Sequence, residues 1–140
     1  MSFAIVAYYW VISHLIFTYV RSADRGLLWL NLLFLFTVVA LPYSAAVLGR
    51  YPLAAPALIV FGANVACCSL SLALTWSYAL HSHLTSPVNQ AQRRYIAIRF
   101  ALSPAVAVVG AAVAPVAPAI SLSLFVAVPV LYALTSAPRA

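Results

Sequence analysis

Five long apolar runs divide this chain, over 3–20, 27–48, 53–80, 96–114 and 116–134, and each approaches the length a helix needs to cross a lipid bilayer. A hydrocarbon core about 30 Å thick takes roughly 20 helical residues. Inside lipid the backbone has no water to bond to, which leaves helices and closed barrels as the only spanning structures. The runs are continuously apolar and lack the alternation that a membrane barrel requires. The fold class read from them is all-α: a polytopic transmembrane helical bundle of five spans, forming one domain over 1–140.

Composition removes the alternatives. Hydrophobic residues make up 66% of the chain and charged ones 6%, whereas a soluble domain keeps about a quarter of its residues charged. The net charge of +6 comes from seven arginines and one acid, Asp24. In a soluble chain that balance would point to nucleic acid. Here the arginines fall in the gaps between apolar runs, as they do in cytoplasmic loops, so the expected partner is membrane lipid and not nucleic acid. Cys67 and Cys68 are adjacent within an apolar run, a placement that suits packing and neither a disulfide framework nor a metal site. No basic residue precedes the first run and no small-residue cleavage pattern closes a short apolar core, so it is not read as a signal peptide.

The breaks are Arg21 to Gly26, Gly49 to Pro52, the long polar stretch His81 to Arg94, and Pro115-Val116-Ala117-Pro118. The last is tight enough to make the fourth and fifth spans a helical hairpin. Small residues four apart, at Gly62 and Ala66, Ala107 and Ala111, and Gly110 and Ala114, let helix backbones approach closely. Asn64, Cys68, Ser71 and Thr75 fall on one face of the third span. They are expected to bond to a neighbouring helix or to their own backbone, with a substrate path as the alternative.

Arg21, Arg25, Arg93, Arg94, Arg99 and Arg139 gather on one side of a five-span chain and Arg50 alone on the other. The arginine-rich side is cytoplasmic, which places the carboxyl terminus there and the amino terminus outside. The first run begins at Phe3 with little ahead of it to translocate. A further helix before Met1 would complete an even-numbered bundle.

No paired carboxylates, phosphate loop or nucleophile–base set is present, so the chain is not expected to be an enzyme or to carry a cofactor. His81 and His83 share a loop with Ser82 and Thr85 and lack a third metal ligand. The polar residues that stand out inside spans are His14 and Asn31, because an intramembrane polar group is costly unless paired. His14 lies seven residues before Arg21 and Asn31 six after Arg25. At about 1.5 Å per residue both sit about 10 Å inside the same surface. They are candidates for a hydrogen-bonded latch between the first two helices, or for a direct role in an ion or proton path. Trp10, one turn deeper than His14 on the same face, is expected to pack its ring there.

The stretch Tyr9-Trp10-Val11-Ile12-Ser13-His14-Leu15-Ile16-Phe17, then Asp24, then Leu27-Leu28-Trp29-Leu30-Asn31-Leu32-Leu33-Phe34-Leu35 and Leu41-Pro42-Tyr43 up to Leu48-Gly49, resembles the transmembrane protein 175 family. These are potassium channels of endosomes and lysosomes with short prokaryotic relatives. The resemblance implies six helices per repeat and a prokaryotic subunit of one repeat, assembled as a homo-tetramer around a central pore. The five runs here would be the second to sixth helices. The family's first helix carries an Arg and a Phe-Ser-Asp signature, lines the pore and supplies its apolar constriction; that motif does not occur in this sequence. The resemblance also implies that Trp10, His14 and Asn31 form a polar network bonded to that signature near the cytoplasmic end of the pore. Ser13 stands where relatives often have another His, and Ala45 where a Thr is common.

The expectation is therefore a potassium channel subunit, truncated at its amino terminus, in a prokaryotic cell membrane, with potassium as the transported ion. Selectivity would arise at an apolar constriction, since no Thr-Val-Gly-Tyr-Gly loop occurs. The alternatives are a small secondary transporter, for which Pro104 and Pro129 within the last two runs are the hint, and a non-conducting scaffold subunit. A gene start placed too late would make the true protein a full channel.

Overall fold

Helices follow from the apolar runs because every backbone donor within them must find an acceptor without water. The computed structural model describes residues 2–87 and 89–135. It contains α1 (Ser2–Tyr19), α2 (Arg25–Arg50), α3 (Ala55–His81), α4 (Gln90–Val113) and α5 (Pro118–Thr135). Four of the five lie within a few residues of the expected bounds. The exception is α4, which begins at Gln90 and not near 96, so that Arg93 and Arg94 lie on its first turns. Long arginine stems bury along apolar surface while their charged heads stay in water, so a helix can run past the hydrocarbon without a break.

Three helical segments are long and apolar enough to cross a membrane: Arg25–Arg50, Ala55–His81 and Ile96–Val113. The described apolar parts of α1 and α5, Ile5–Tyr19 and Pro118–Ala127, are shorter. Helix starts are chemically marked. The Leu27 N–H donates to Asp24 Oδ1 at 2.8 Å, an N-cap that satisfies one of the orphan donors of α2. A proline sits in the first turn of α3 and another opens α5, where its missing N–H costs nothing.

Helix α3 forms the centre and touches the other four. Towards one end Tyr9, Ile16, Phe34, Leu72, Trp76 and Ile96 form a buried cluster drawn from α1 to α4. Towards the other, Leu48, Leu58, Phe61, Ala114 and Phe125 close a second one with α5. The small residues act where the spacing placed them. A Cβ on Gly62 would lie 2.8 Å from the Phe125 ring and 3.0 Å from Ala111 Cβ, and one on Gly110 would lie 2.7 Å from Phe125. The α4–α5 hairpin is tied by Ser121 Oγ donating to the Gly110 carbonyl at 2.7 Å.

The two loops at the arginine-rich end are joined to each other. Arg21 N–H donates to the Leu84 carbonyl and Ser86 N–H to the Tyr19 carbonyl, each at 2.8 Å, and Arg21 Nε donates to Ser86 Oγ at 3.0 Å. Arg21, Arg25 and Arg94 therefore share one end of the bundle, and Arg50 lies at the other. Arg139 is outside the described residues, as are the side chains of Arg93 and Arg99.

Candidate functional site: an outward indole–imidazole stack and a closed polar interior

The buried face of α1 is set by Tyr9 and Ile16, at 3% and 1% exposure. His14 lies two residues before Ile16, about 200° round the helix, and is exposed. Its imidazole stacks on Trp10, with ring centroids 5.4 Å apart and planes 11° apart. Trp10 is 65% exposed, so the stack stands on the outer wall of the bundle. Asn31 is half-buried on α2, between buried Leu27 and Phe34. Among the described residues neither His14 nor Asn31 has a hydrogen-bond partner, so the structure brings Trp10 to His14 but does not join His14 to Asn31. On α2, Trp29, Phe36 and Tyr43, seven residues apart, are each more than 70% exposed and form an outward stripe of their own.

The interior is closed by polar contacts that the sequence reading partly placed. Asn64 Nδ2 donates to Ser44 Oγ at 2.9 Å, bonding α3 to α2. Ser71 Oγ donates to the Cys68 carbonyl and Thr75 Oγ1 to the Ser71 carbonyl. The α3 stripe thus faces protein, as helix glue and backbone-bonded hydroxyls. A second polar knot was not singled out. Tyr9 Oη lies 2.9 Å from Ser69 Oγ, which lies 2.8 Å from Ser103 Oγ, while Tyr9 Oη also donates to the Val65 carbonyl at 3.2 Å. This chain of hydroxyls joins α1, α3 and α4. The signal that could have found it is the cost of an unbonded hydroxyl in lipid, applied to Tyr9 and Ser103 as it was to His14. Beside the knot is a cavity of about 40 Å³ with largely apolar walls that include Phe61, Val65 and Phe125. Trp76 Nε1 is buried with no partner among the described residues.

At the arginine-rich end Tyr78 Oη donates to Asp24 Oδ2 at 2.7 Å. The Leu27 N–H first, and this phenol second, hold the Asp24 carboxyl below its usual range. Gly26 belongs to the same contact, because a Cβ there would collide with the Tyr78 hydroxyl. His81 and His83 are exposed at the end of α3. Among the described residues no three His, Cys, Asp or Glu side chains gather as a metal site.

Comparison with known proteins gives two matches. The family described as endosomal/lysosomal potassium channel TMEM175 matches residues 1–42, which include α1, Asp24 and most of α2. A protein of Streptomyces collinus named a potassium channel is 35% identical over 108 residues, covering 73% of this chain and 52% of that protein. The chain spans about half the length of that relative. The segment that carries Trp10, His14 and Asn31 is the one matched by the family, and the chain, an integral membrane protein with helices suited to a bilayer, is similar there to the transmembrane protein 175 family.

Proposed function

We propose that the chain is a subunit of a potassium channel and that its ion path lies between chains, outside the bundle of any one of them. The observation that carries this reading is the contrast between wall and interior. The interior is filled by ring clusters and by hydroxyls bonded to one another, whereas Trp10 and His14 stand on the outside. The family match over the same residues and the name of the Streptomyces collinus relative support potassium as the ion. In this reading Trp10, His14 and Asn31 receive a further helix that carries the apolar constriction, and copies of the chain surround the pore as a homo-oligomer, a tetramer by resemblance. His14, one face of whose ring stacks on indole, then offers its ring nitrogens to that helix as donor and acceptor. The gathering of Arg21, Arg25 and Arg94 at one end supports a cytoplasmic carboxyl terminus in a prokaryotic cell membrane.

The test is potassium flux into proteoliposomes containing the chain, beside the same chain with a first family helix added ahead of Met1 and a His14→Ala variant of that fusion. Flux by the fusion, lowered by His14→Ala while sodium flux stays small, is the expected result. No potassium flux by either form, with helical content intact, overturns the reading and favours a scaffold subunit.

A further inference from the structure

Helix α3 is central but not fully covered. Val60, Leu70 and Leu74 are 46%, 50% and 53% exposed, and with exposed Cys67 and Ser77 they make an apolar strip along one side of the helix. The strip runs up to the arginine-rich end and meets an open cleft of about 470 Å³ lined by Ser77, Leu80, His81 and His83. We infer that this strip and cleft bind one anionic phospholipid of the arginine-rich leaflet, with an acyl chain along α3 and the phosphate at His81, His83 and Ser77.

Three observations carry it. The first is the backbone. His83 has a positive φ of 55°, a conformation that glycine adopts without cost and other residues rarely. It ends α3 as a Schellman turn, with Leu84 N–H bonded to the Ala79 carbonyl at 3.0 Å and His83 N–H to the Leu80 carbonyl at 3.3 Å. A histidine at a place suited to glycine keeps an imidazole beside the cleft. The second is availability. Among the described residues the side chains of Ser77, His81 and His83 have no hydrogen-bond partner, while the last carbonyls of α3, which would repel a phosphate, already accept backbone N–H groups. Ring N–H and hydroxyl donors therefore remain for phosphate oxygens. The third is charge. Arg21, whose backbone N–H bonds to the carbonyl of Leu84 next to His83 and whose Nε donates to Ser86 Oγ, and Arg25 stand at the same end of the bundle as the cleft. Such clusters attract anionic headgroups at about fivefold per basic contact. The inference needs the chain to be embedded in a bilayer but not to conduct, so its failure and that of the channel reading are separable.

The experiment is native mass spectrometry of the chain released from nanodiscs of equal phosphatidylglycerol and phosphatidylcholine. The expected result is retention of phosphatidylglycerol over phosphatidylcholine by about fivefold or more. That preference should fall towards unity in H81A/H83G, which removes both imidazole donors and keeps a residue tolerant of positive φ, and stay unchanged in Arg50→Gln at the opposite end. Leu74→Trp, which fills the strip without touching the histidines, should also lower it and decides the matter if the double variant does not fold. No preference in the wild type, or a preference that survives both H81A/H83G and Leu74→Trp, overturns the inference.

Discussion

The most apolar 18-residue windows of α2 and α3 share a mean hydropathy of 2.1, yet half of the window of α3 is buried in the bundle against 28% of that of α2. Hydropathy therefore selects the bilayer and does not select the neighbour. What separates the two helices is the placing of small and polar side chains. Gly62, Ala66, Ser69, Ser71 and Thr75 let other helices approach α3 from several directions. On α2 the buried positions Leu27, Phe34, Leu41 and Leu48 recur every seven residues and make one seam, which leaves Trp29, Phe36 and Tyr43 outside. In lipid there is no hydrophobic force between helices, so close backbone approach and satisfied hydroxyls decide which helix becomes central.

The comparison breaks most readily at Gly62. Gly62→Val puts branched carbon against Phe125 and Ala111 and is expected to lower unfolding free energy in mixed micelles by about 3 kcal/mol. Val39→Ala on the outer wall of α2, where Val39 is 78% exposed, should change it by about 0.5 kcal/mol or less. Equal losses at the two sites would show that α2 is covered by another chain in the micelle.

A smaller effect sharpens the role of hydroxyls. Ser69→Ala removes the group that Tyr9 and Ser103 share and is expected to cost about 1 kcal/mol. Tyr9→Phe should cost no more than this once Ser69 is already alanine, because the two changes break the same contact. Additive losses in that double-mutant cycle would mean that the knot does not act as a unit.

How much of this was legible follows the same division. The helices could be read because span length and arginine placing are one-dimensional signals, and the Trp10–His14 stack because residues four apart share a face. The Asn64, Ser71 and Thr75 stripe was legible for that reason too. What escaped needed rotation about the axis in relation to a partner. His14 and Asn31 were matched in depth, but Ile16 turns His14 outward while the Leu27–Phe34 seam turns Asn31 to its edge. Tyr9 escaped because it stands beside Tyr8 in an aromatic run, and Ser103 because its partner is 34 residues away. The early start of α4 escaped because Arg93 and Arg94 were read as loop, although arginine is a good helix former.

The end of α3 supplies a change of opposite sign. His83→Gly relieves the cost of a side chain at positive φ and is expected to raise stability by about 1 kcal/mol, measured by the same unfolding titration. Unchanged stability would mean that contacts of the imidazole offset the strain. A gain in stability with a loss of phosphatidylglycerol preference would mark His83 as kept for its side chain.

The smallest effect concerns the tie between α2 and α3 at the arginine-rich end. The Asp24 carboxylate accepts from Leu27 N–H and Tyr78 Oη, so its native pKa lies below its usual value of 3.8. A group depressed in the folded state binds more protons when unfolded, and stability rises with pH wherever that difference exists. The contribution of Asp24 is therefore fully present above its unfolded value and lost as pH falls through its lower native one. Unfolding midpoints measured downwards from neutral pH should hold steady until the carboxylate range and then decline. Asp24→Asn keeps an oxygen for the α2 cap but accepts more weakly from Tyr78, so it should flatten that decline and leave the plateau slightly lower. Because Asp24 is the single acid of the chain, a decline of the same size in Asp24→Asn could come from no other Asp or Glu side chain, and it would mean that the acid side of the profile does not report the bond between this carboxylate and Tyr78.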